Sequence, residues 1–436
     1  MSLFGAVNTA ISGLTAQSAA FTNISDNVAN SQTVGYKEVN TTFQDYLTVS
    51  NSTINQSSAV VAQPEYMNNV QGPIAQSVDP LALAISGQGF FAVSQATNTA
   101  TGGAVTTFSP TQYYTRTGDF QLNQNGYIVN SAGQYLNGWS VNSATGAVNA
   151  NALVPIQVNQ TSFNPVATSQ VTLSANLPAT PATGTGVSSQ VNVYDSLGTL
   201  HTMTLSWAQT ATNVWTVSVN SPDSATPAVG SAQVEFGSTS GNAVASGTVG
   251  SLSNATGSMT ASSFTAGSPA DLTFSTNFGQ GPQAISLNLG DFGQTNGLTQ
   301  YAGTTYSLGG LTQNGVAPGS FSSITTNTSG GVSVNYSNGQ SQVIAQVPVV
   351  TFAAPNSLQN QNGQSFTATS TSGNPLAQNA GTNGAGSLVT GSIEQSNVDI
   401  ATQFTALIVA QQAYSANTKV VTSANQMLQQ TISMIQ

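Results

Sequence analysis

Both ends of this chain carry apolar residues at alternating steps of four and three, the spacing of a coiled-coil seam. Near the start the series is Leu3, Val7, Ala10, Leu14, Gln17, Phe21, Ile24, Val28. Near the end it is Ile400, Phe404, Leu407, Gln411, Tyr414, Thr418, Val421, Asn425, Leu428, Ile432, Ile435. One heptad position is wholly apolar in each: Val7, Leu14, Phe21, Val28, and Ile400, Leu407, Tyr414, Val421, Leu428, Ile435. The spacing predicts two helices of roughly 39 and 55 Å. No proline falls in either stretch and no glycine follows Gly391, so nothing bends these rods onto a compact core. They are expected to pair as a coiled coil in which Gln411, Thr418 and Asn425 fix register at some cost in stability.

The outer faces of those helices are almost free of charge. Asp26 stands alone in the first 36 residues, and only Asp399 and Lys419 follow Glu394. The pattern extends to the whole chain, where 436 residues carry three Lys or Arg and 13 Asp or Glu, 4% in all. Ser, Thr, Asn and Gln number 192 and take the place of the charges. A water-facing surface normally uses Lys and Glu, whereas neutral hydrogen-bonding groups suit contact with further copies. Three bases cannot neutralise a nucleic-acid backbone or hold an anionic bilayer, so no nucleic acid and no membrane insertion are expected. Hydrophobic residues at 39% and a net charge of −10 favour a folded chain over a disordered one. The absence of cysteine excludes disulfides, thiolate metal sites and a Cys nucleophile. No Sec-type signal is read at the start, since the first basic residue is Lys37.

Between the helices the pattern is β. Residues 31–75, with 386–396, read as an extended connector. Residues 76–146, with 298–385, read as an inner β-domain containing strands around Leu83 and Ile85 and around Phe91 and Val93. Turns are expected at Asn125-Gly126, Ala132-Gly133 and Asn137-Gly138. Longer alternating strands, 190–194, 200–207, 214–219 and 232–236, mark 147–297 as a second β-domain inserted in the first. Residues 1–30 and 397–436 form the helical domain. The expected fold is therefore mixed and mainly β: two nested β-domains plus paired terminal helices.

Catalytic chemistry finds little support. His201 is the only histidine and lies in a strand-like run, so no His cluster can hold a metal and a Ser-His-Asp triad has no other histidine to draw on. Gly87-Gln-Gly-Phe-Phe-Ala92 fits a dinucleotide fingerprint formally but precedes a strand, with phenylalanines where phosphates need room. Asp291-Phe-Gly293 lacks every other kinase element. Asp195 and Asp119 sit in turn sequences, where Asx hydrogen bonding accounts for them. No catalytic, cofactor-binding or metal-ligating residue is assigned and no cofactor is expected. Lys37 beside Glu38, and Arg116 near Asp119, are read as ion pairs at contacts.

Four motifs, in order, resemble the bacterial flagellar rod and hook family of axial proteins. Ala10-Ile-Ser-Gly-Leu14, Ile24-Ser-Asp-Asn-Val-Ala-Asn30 and Thr33-Val-Gly-Tyr-Lys37 are similar to its amino-terminal signature. Ser86-Gly-Gln-Gly-Phe-Phe91 and Tyr114-Thr-Arg-Thr-Gly-Asp-Phe120 resemble its shared β-domain, and Ser396-Asn-Val-Asp-Ile400 with Ile408-Val-Ala-Gln-Gln412 its carboxy-terminal signature. The insertion, with Val193-Tyr-Asp-Ser-Leu-Gly198, resembles the outer domain of the hook-forming members. The resemblance implies a homo-polymer: a curved, bendable tube of the extracellular hook on the basal body, passing motor torque to the filament. It also implies passage through the flagellar type III export apparatus, and contacts with a distal rod protein, a hook cap protein and a hook-filament junction protein. A rod or junction subunit is the alternative within the family, and a secreted β-rich adhesin the alternative outside it.

Overall fold

The computed structural model describes residues 3–50, 55–99, 105–142, 145–181 and 186–435. Helix α1 spans Leu3–Ala29 and α2 spans Ile400–Ile435. Asp399 caps α2: its Oδ1 accepts from the Ala401 and Thr402 amides at 2.8 and 3.3 Å, placing a carboxylate at the positive end of the helix dipole. The helices run antiparallel and touch along their length, with Asn27 bonded to Gln403 and Gly13 facing Asn417. Strands β1 (Val39–Ser50) and β2 (Asn55–Tyr66) form an antiparallel hairpin after α1. The stretch read as a connector is thus a regular ribbon laid against α1, where Ser12 Oγ accepts from the Val60 amide at 3.1 Å and Asn23 donates to Thr41 Oγ1 at 2.8 Å.

The chain divides into two compact units, the first comprising 1–160, 322–335 and 341–436, the second 161–321 and 336–340. The β part of the first unit is built around the strand Tyr135–Val141, whose first half pairs with Phe91–Ser94 and whose second half pairs with Ser341–Gln346. Turns fall at Gly126 and Gly133, both in the left-handed region. Asn137-Gly138 is not a turn but lies inside the strand Tyr135–Val141. Its glycine is there for closeness, since an added Cβ would stand 2.8 Å from both the Gln346 carbonyl and Ile156 Cδ1.

The second unit holds a six-stranded sheet and a five-stranded antiparallel meander. The strand Gln170–Pro178 lies at the centre of the first, parallel to Pro282–Asp291 and Leu298–Tyr301 and antiparallel to Ser307–Gln313. Its residues alternate outward Gln170, Thr172, Ser174 with inward Val171, Leu173, Ala175, as a strand with one buried face must. The meander runs Val187–Tyr194, Leu200–Ala211, Val214–Asn220, Ala228–Phe236, Val249–Ser253. One core contains Leu173, Trp207, Trp215, Leu272, Ile285 and Phe292. The boundary read at 297 is corrected: strands at 298–301 and 307–313 belong to this sheet, because their register partners on Gln170–Pro178 are reached only there.

Candidate functional site: a buried junction beneath the terminal helices

Where the first and last strands of the first unit meet its β-domain, three charged side chains are buried together. Glu394 ends the strand Ser392–Glu394, which pairs with Ile74–Gln76. Its Oε1 accepts from Lys37 Nζ at 2.5 Å and the Gly72 amide at 2.9 Å, and its Oε2 accepts from the Arg116 guanidinium at 2.8 Å. None of the three side chains is more than 2% exposed. One carboxylate cannot neutralise two cations, and backbone carbonyls supply the rest. Val70 accepts from Lys37 at 2.6 Å, and Ile85 and Gly87 accept from Arg116 at 3.2 and 2.7 Å. Arg116 also lies over the Phe90 ring, 5.3 Å from its centre. Gly72 is required by crowding, since a Cβ there would sit 2.1 Å from the Gln395 carbonyl oxygen. Removal from water lowers the Lys37 pKa to about 8, the nearby Glu394 opposing and Arg116 adding to the shift.

A second, neutral layer joins this triad to the helices. Asn27 donates to the Val39 carbonyl and Gln403 Oε1 and accepts from the Val39 amide and Tyr36 hydroxyl. Gln403 in turn donates to Glu38 at 2.8 Å, and Asn397 accepts from the Glu38 amide at 2.7 Å. Burial raises the Glu38 pKa against the Gln403 hydrogen bond. Three of the four motifs, spread from one end of the chain to the other, contribute Asn27 and Lys37, Arg116, and Asn397 to one network.

The pairings read from the sequence are corrected here. Lys37 does not bond Glu38: neighbours on an extended backbone point to opposite sides, so Lys37 turns inward and Glu38 toward α2. Arg116 does not bond Asp119, which accepts from the Ser131 amide at 3.3 Å. Glu394 was missed. The available signal was that two cations at motif positions need a carboxylate, and few acids lie near the chain's end.

The helix seam also differs. Between α1 and α2 the buried residues are small or polar: Ala10, Ala20 and Asn27, with Ile24, on one side and Gln403, Ala410 and Ala424 on the other. Val7, Leu14, Phe21, Val28, Leu407, Val421 and Leu428 flank it half-buried. Ile400, Phe404, Gln411, Tyr414, Thr418 and Asn425 are exposed, although Tyr414 still meets Phe21 edge-on at 6.3 Å. The side chain of Ile435 lies outside the described residues. Small residues let two helices approach closely, so Ala410 and Ala424 take the inner position; Gln403, bonded to Asn27, and Asn417, against Gly13, share that face, and the residues after each, Phe404, Gln411, Thr418 and Asn425, turn outward. At the foot of the helices a groove of about 820 Å³ opens between α1, α2 and the hairpin, lined by Ala20, Ile24, Val39, Phe43, Glu65 and Val409 among others.

His201 stacks on Phe278 with ring centres 4.0 Å apart, its nitrogens 3.3 Å from Asp223 and 3.5 Å from Asp195. Asp195 closes its own turn by accepting from the Leu197 and Thr199 amides. Among the described residues no three His, Cys, Asp or Glu side chains are grouped to hold a metal, and no helix is long and apolar enough to cross a membrane.

A chain whose motif residues converge on the closure of its own two ends, and whose helices leave apolar faces open, has the build of a structural subunit. Known families agree in order along the chain. Residues 7–37 match "Flagella basal body rod protein" and 84–176 match "Flagellar hook protein FlgE/F/G D1 domain". Residues 157–316 match "Flagellar basal body protein FlaE D2 domain", and 389–434 match "Flagellar basal body rod FlgEFG protein C-terminal". The flagellar hook protein FlgE of Brucella suis biovar 1 (strain 1330) is 30% identical over 435 residues, 98% of each chain. That of Escherichia coli (strain K12) is 28% identical over 441 residues, 97% of this chain and 98% of its own. The crystal structure of Helicobacter pylori flagellar hook protein FlgE2 covers 72% of this chain and 98% of its own at 14% identity, with a TM-score of 0.48. The chain belongs to the flagellar hook protein family, structural proteins of the hook of the bacterial flagellum.

Proposed function

We propose that this chain polymerises through its terminal helices into a curved, bendable tube that serves as a universal joint between motor and filament. The carrying observation is the outward face of α2. Phe404, Ile408, Val420 and Met427 are exposed there, on a helix of 36 residues whose single charge is Lys419. An apolar stripe of this length has its natural partner in identical helices of neighbouring copies. The helices then form the inner wall, held to the β-domain by the Glu394 junction. Passage as an unfolded chain through the type III export apparatus accords with the absence of cysteine. The ends of such a tube would meet a distal rod protein below and a hook cap or hook-filament junction protein above. Incubating the purified chain and imaging it by negative stain tests the reading. Curved tubes are expected; straight short rods would favour a rod subunit, and the lack of any polymer would overturn it.

A further inference from the structure

Of the three basic residues in the chain, Lys37 and Arg116 are buried on Glu394, which leaves Lys419 as the one basic side chain free at the surface among the described residues. Lys419 is exposed on α2 and has no hydrogen-bond or ion-pair partner among the described residues. The acids of the same unit near the helices differ in place and in what already engages them: Asp26 on α1 and Asp45 on β1 are exposed but do not line the groove. Asp399 caps α2 and Glu38 accepts from Gln403. Glu65 on β2, opposite Asn40, lines the groove at the helix foot, is exposed, and has no side-chain partner among the described residues. Within one copy the two cannot meet. The groove's last lining residue on α2 is Ala410, and Lys419 lies nine residues further along, about 13 Å at the helical rise. A lysine side chain spans roughly half that. Its apolar lining includes Ala20, Ile24, Phe43, Ala406 and Val409, neutral polar groups such as Gln17, Thr41 and Thr402 share it, and Glu65 is its one charge.

We propose that the groove between α1, α2 and the β1–β2 hairpin receives the outward face of α2 from a second copy, with that copy's Lys419 paired to Glu65. The assignment rests on the reading of the chain as a polymer and adds which surfaces meet. Charge complementarity selects the occupant: a groove whose one charge is an unpaired carboxylate is matched by an apolar helix face with one unpaired ammonium, and the described residues have no other free basic side chain to offer. Groove and Lys419 are different patches, so the contact can repeat head-to-tail from copy to copy, and where the rotation does not close it gives an open helical array.

Charge exchange tests it. Glu65→Lys and Lys419→Glu, each alone, place like charges across the contact and are expected to raise the critical concentration for polymerisation about tenfold or more at low salt. The double variant is expected to return close to the wild-type value. Both positions are exposed, so far-UV circular dichroism should stay unchanged in all three. As a second readout, Glu65→Cys with Lys419→Cys in this cysteine-free chain should give ladders of linked copies with a short bis-maleimide, only in polymer and only when both cysteines are present. Wild-type polymer with single variants that assemble normally, or a double cysteine variant that polymerises without linking, would overturn the contact while leaving the polymer reading intact. A wild-type chain that never polymerises would instead remove the reading on which it rests.

Discussion

Glu394 joins Lys37, from the segment after α1, to Arg116, from the β-domain, and so fixes the first unit at the point where its chain passes converge. Removing one member of a buried ion group strands the others without water, so Glu394→Ala is expected to destabilise this unit by about 3–5 kcal/mol. Glu38→Ala, which loses one partly exposed hydrogen bond, should cost about 1 kcal/mol. Urea unfolding followed by probes in each unit measures both, with the second unit unchanged. Lys37 gives a pH signature. Its folded pKa of about 8 lies below the unfolded value near ~10.4, so between these the unfolded chain keeps a proton that the folded chain has released. Stability from this group therefore rises with pH across that window and is flat below it. Tyr36 and Tyr114, raised by burial to about 12, act in the opposite sense above about pH 10. The stability difference between wild type and Lys37→Met should grow from pH 8 to pH 10, and a constant difference would refute the assignment. At this scale the sequence marked the right cations and the wrong partners. Nearest acids in sequence were chosen, while the true partner stands 357 and 278 residues away and becomes visible only when the chain closes.

Helices α1 and α2 are legible as helices from their heptads, but which face pairs with which is not. Pattern reading assigns the seam to the largest apolar residues, whereas a close antiparallel pair uses the smallest. Gly13 illustrates the constraint, since a Cβ there would lie 2.9 Å from Asn417 Nδ2. The bulky residues are thereby released for another purpose, and the two faces can be separated by substitution. Ile408→Lys, on the exposed face at 53%, is expected to leave helix content and thermal unfolding of the soluble chain unchanged while abolishing polymer. Leu407→Lys, one residue earlier and half-buried beside the seam, should lower thermal stability of the first unit as well. Equal behaviour of the two variants by sedimentation and melting would contradict the division of faces. Turn chemistry was read well where glycine takes a positive φ, as at Gly126 and Gly133, and wrongly at Asn137-Gly138. The same dipeptide serves there as a gap for a neighbouring strand, which local sequence does not distinguish from a bend.

At the level of the whole molecule the nested β-domains were legible because alternation in strands such as Val187–Tyr194 and Leu200–Ala211 is regular. The return point was not, because strands at 298–313 look alike whichever sheet they join. The second unit bears few charges, and neutral surfaces exchange contacts for water at about 1 kcal/mol or less per hydrogen bond. Facing Lys and Glu pairs placed on its outer strands are expected to stiffen hooks at low salt and not at high salt, read by bending fluctuations of isolated hooks. Unchanged stiffness at low salt would count against easily exchanged neutral contacts. The position of Glu394 also sets an order of events for a chain that appears from its N-terminus. The second unit needs only residues 161–340, so it can close while the rest is still to come. The first unit must wait for the last forty-odd residues to bring Glu394, across a loop of 357 residues. Closing such a loop costs about 3 kcal/mol more than a ~12-residue loop, an entropy met only once the carboxylate is present. Until then Lys37 and Arg116 have no reason to leave water, and the helices that would adhere to other copies have no fixed base from which to do so.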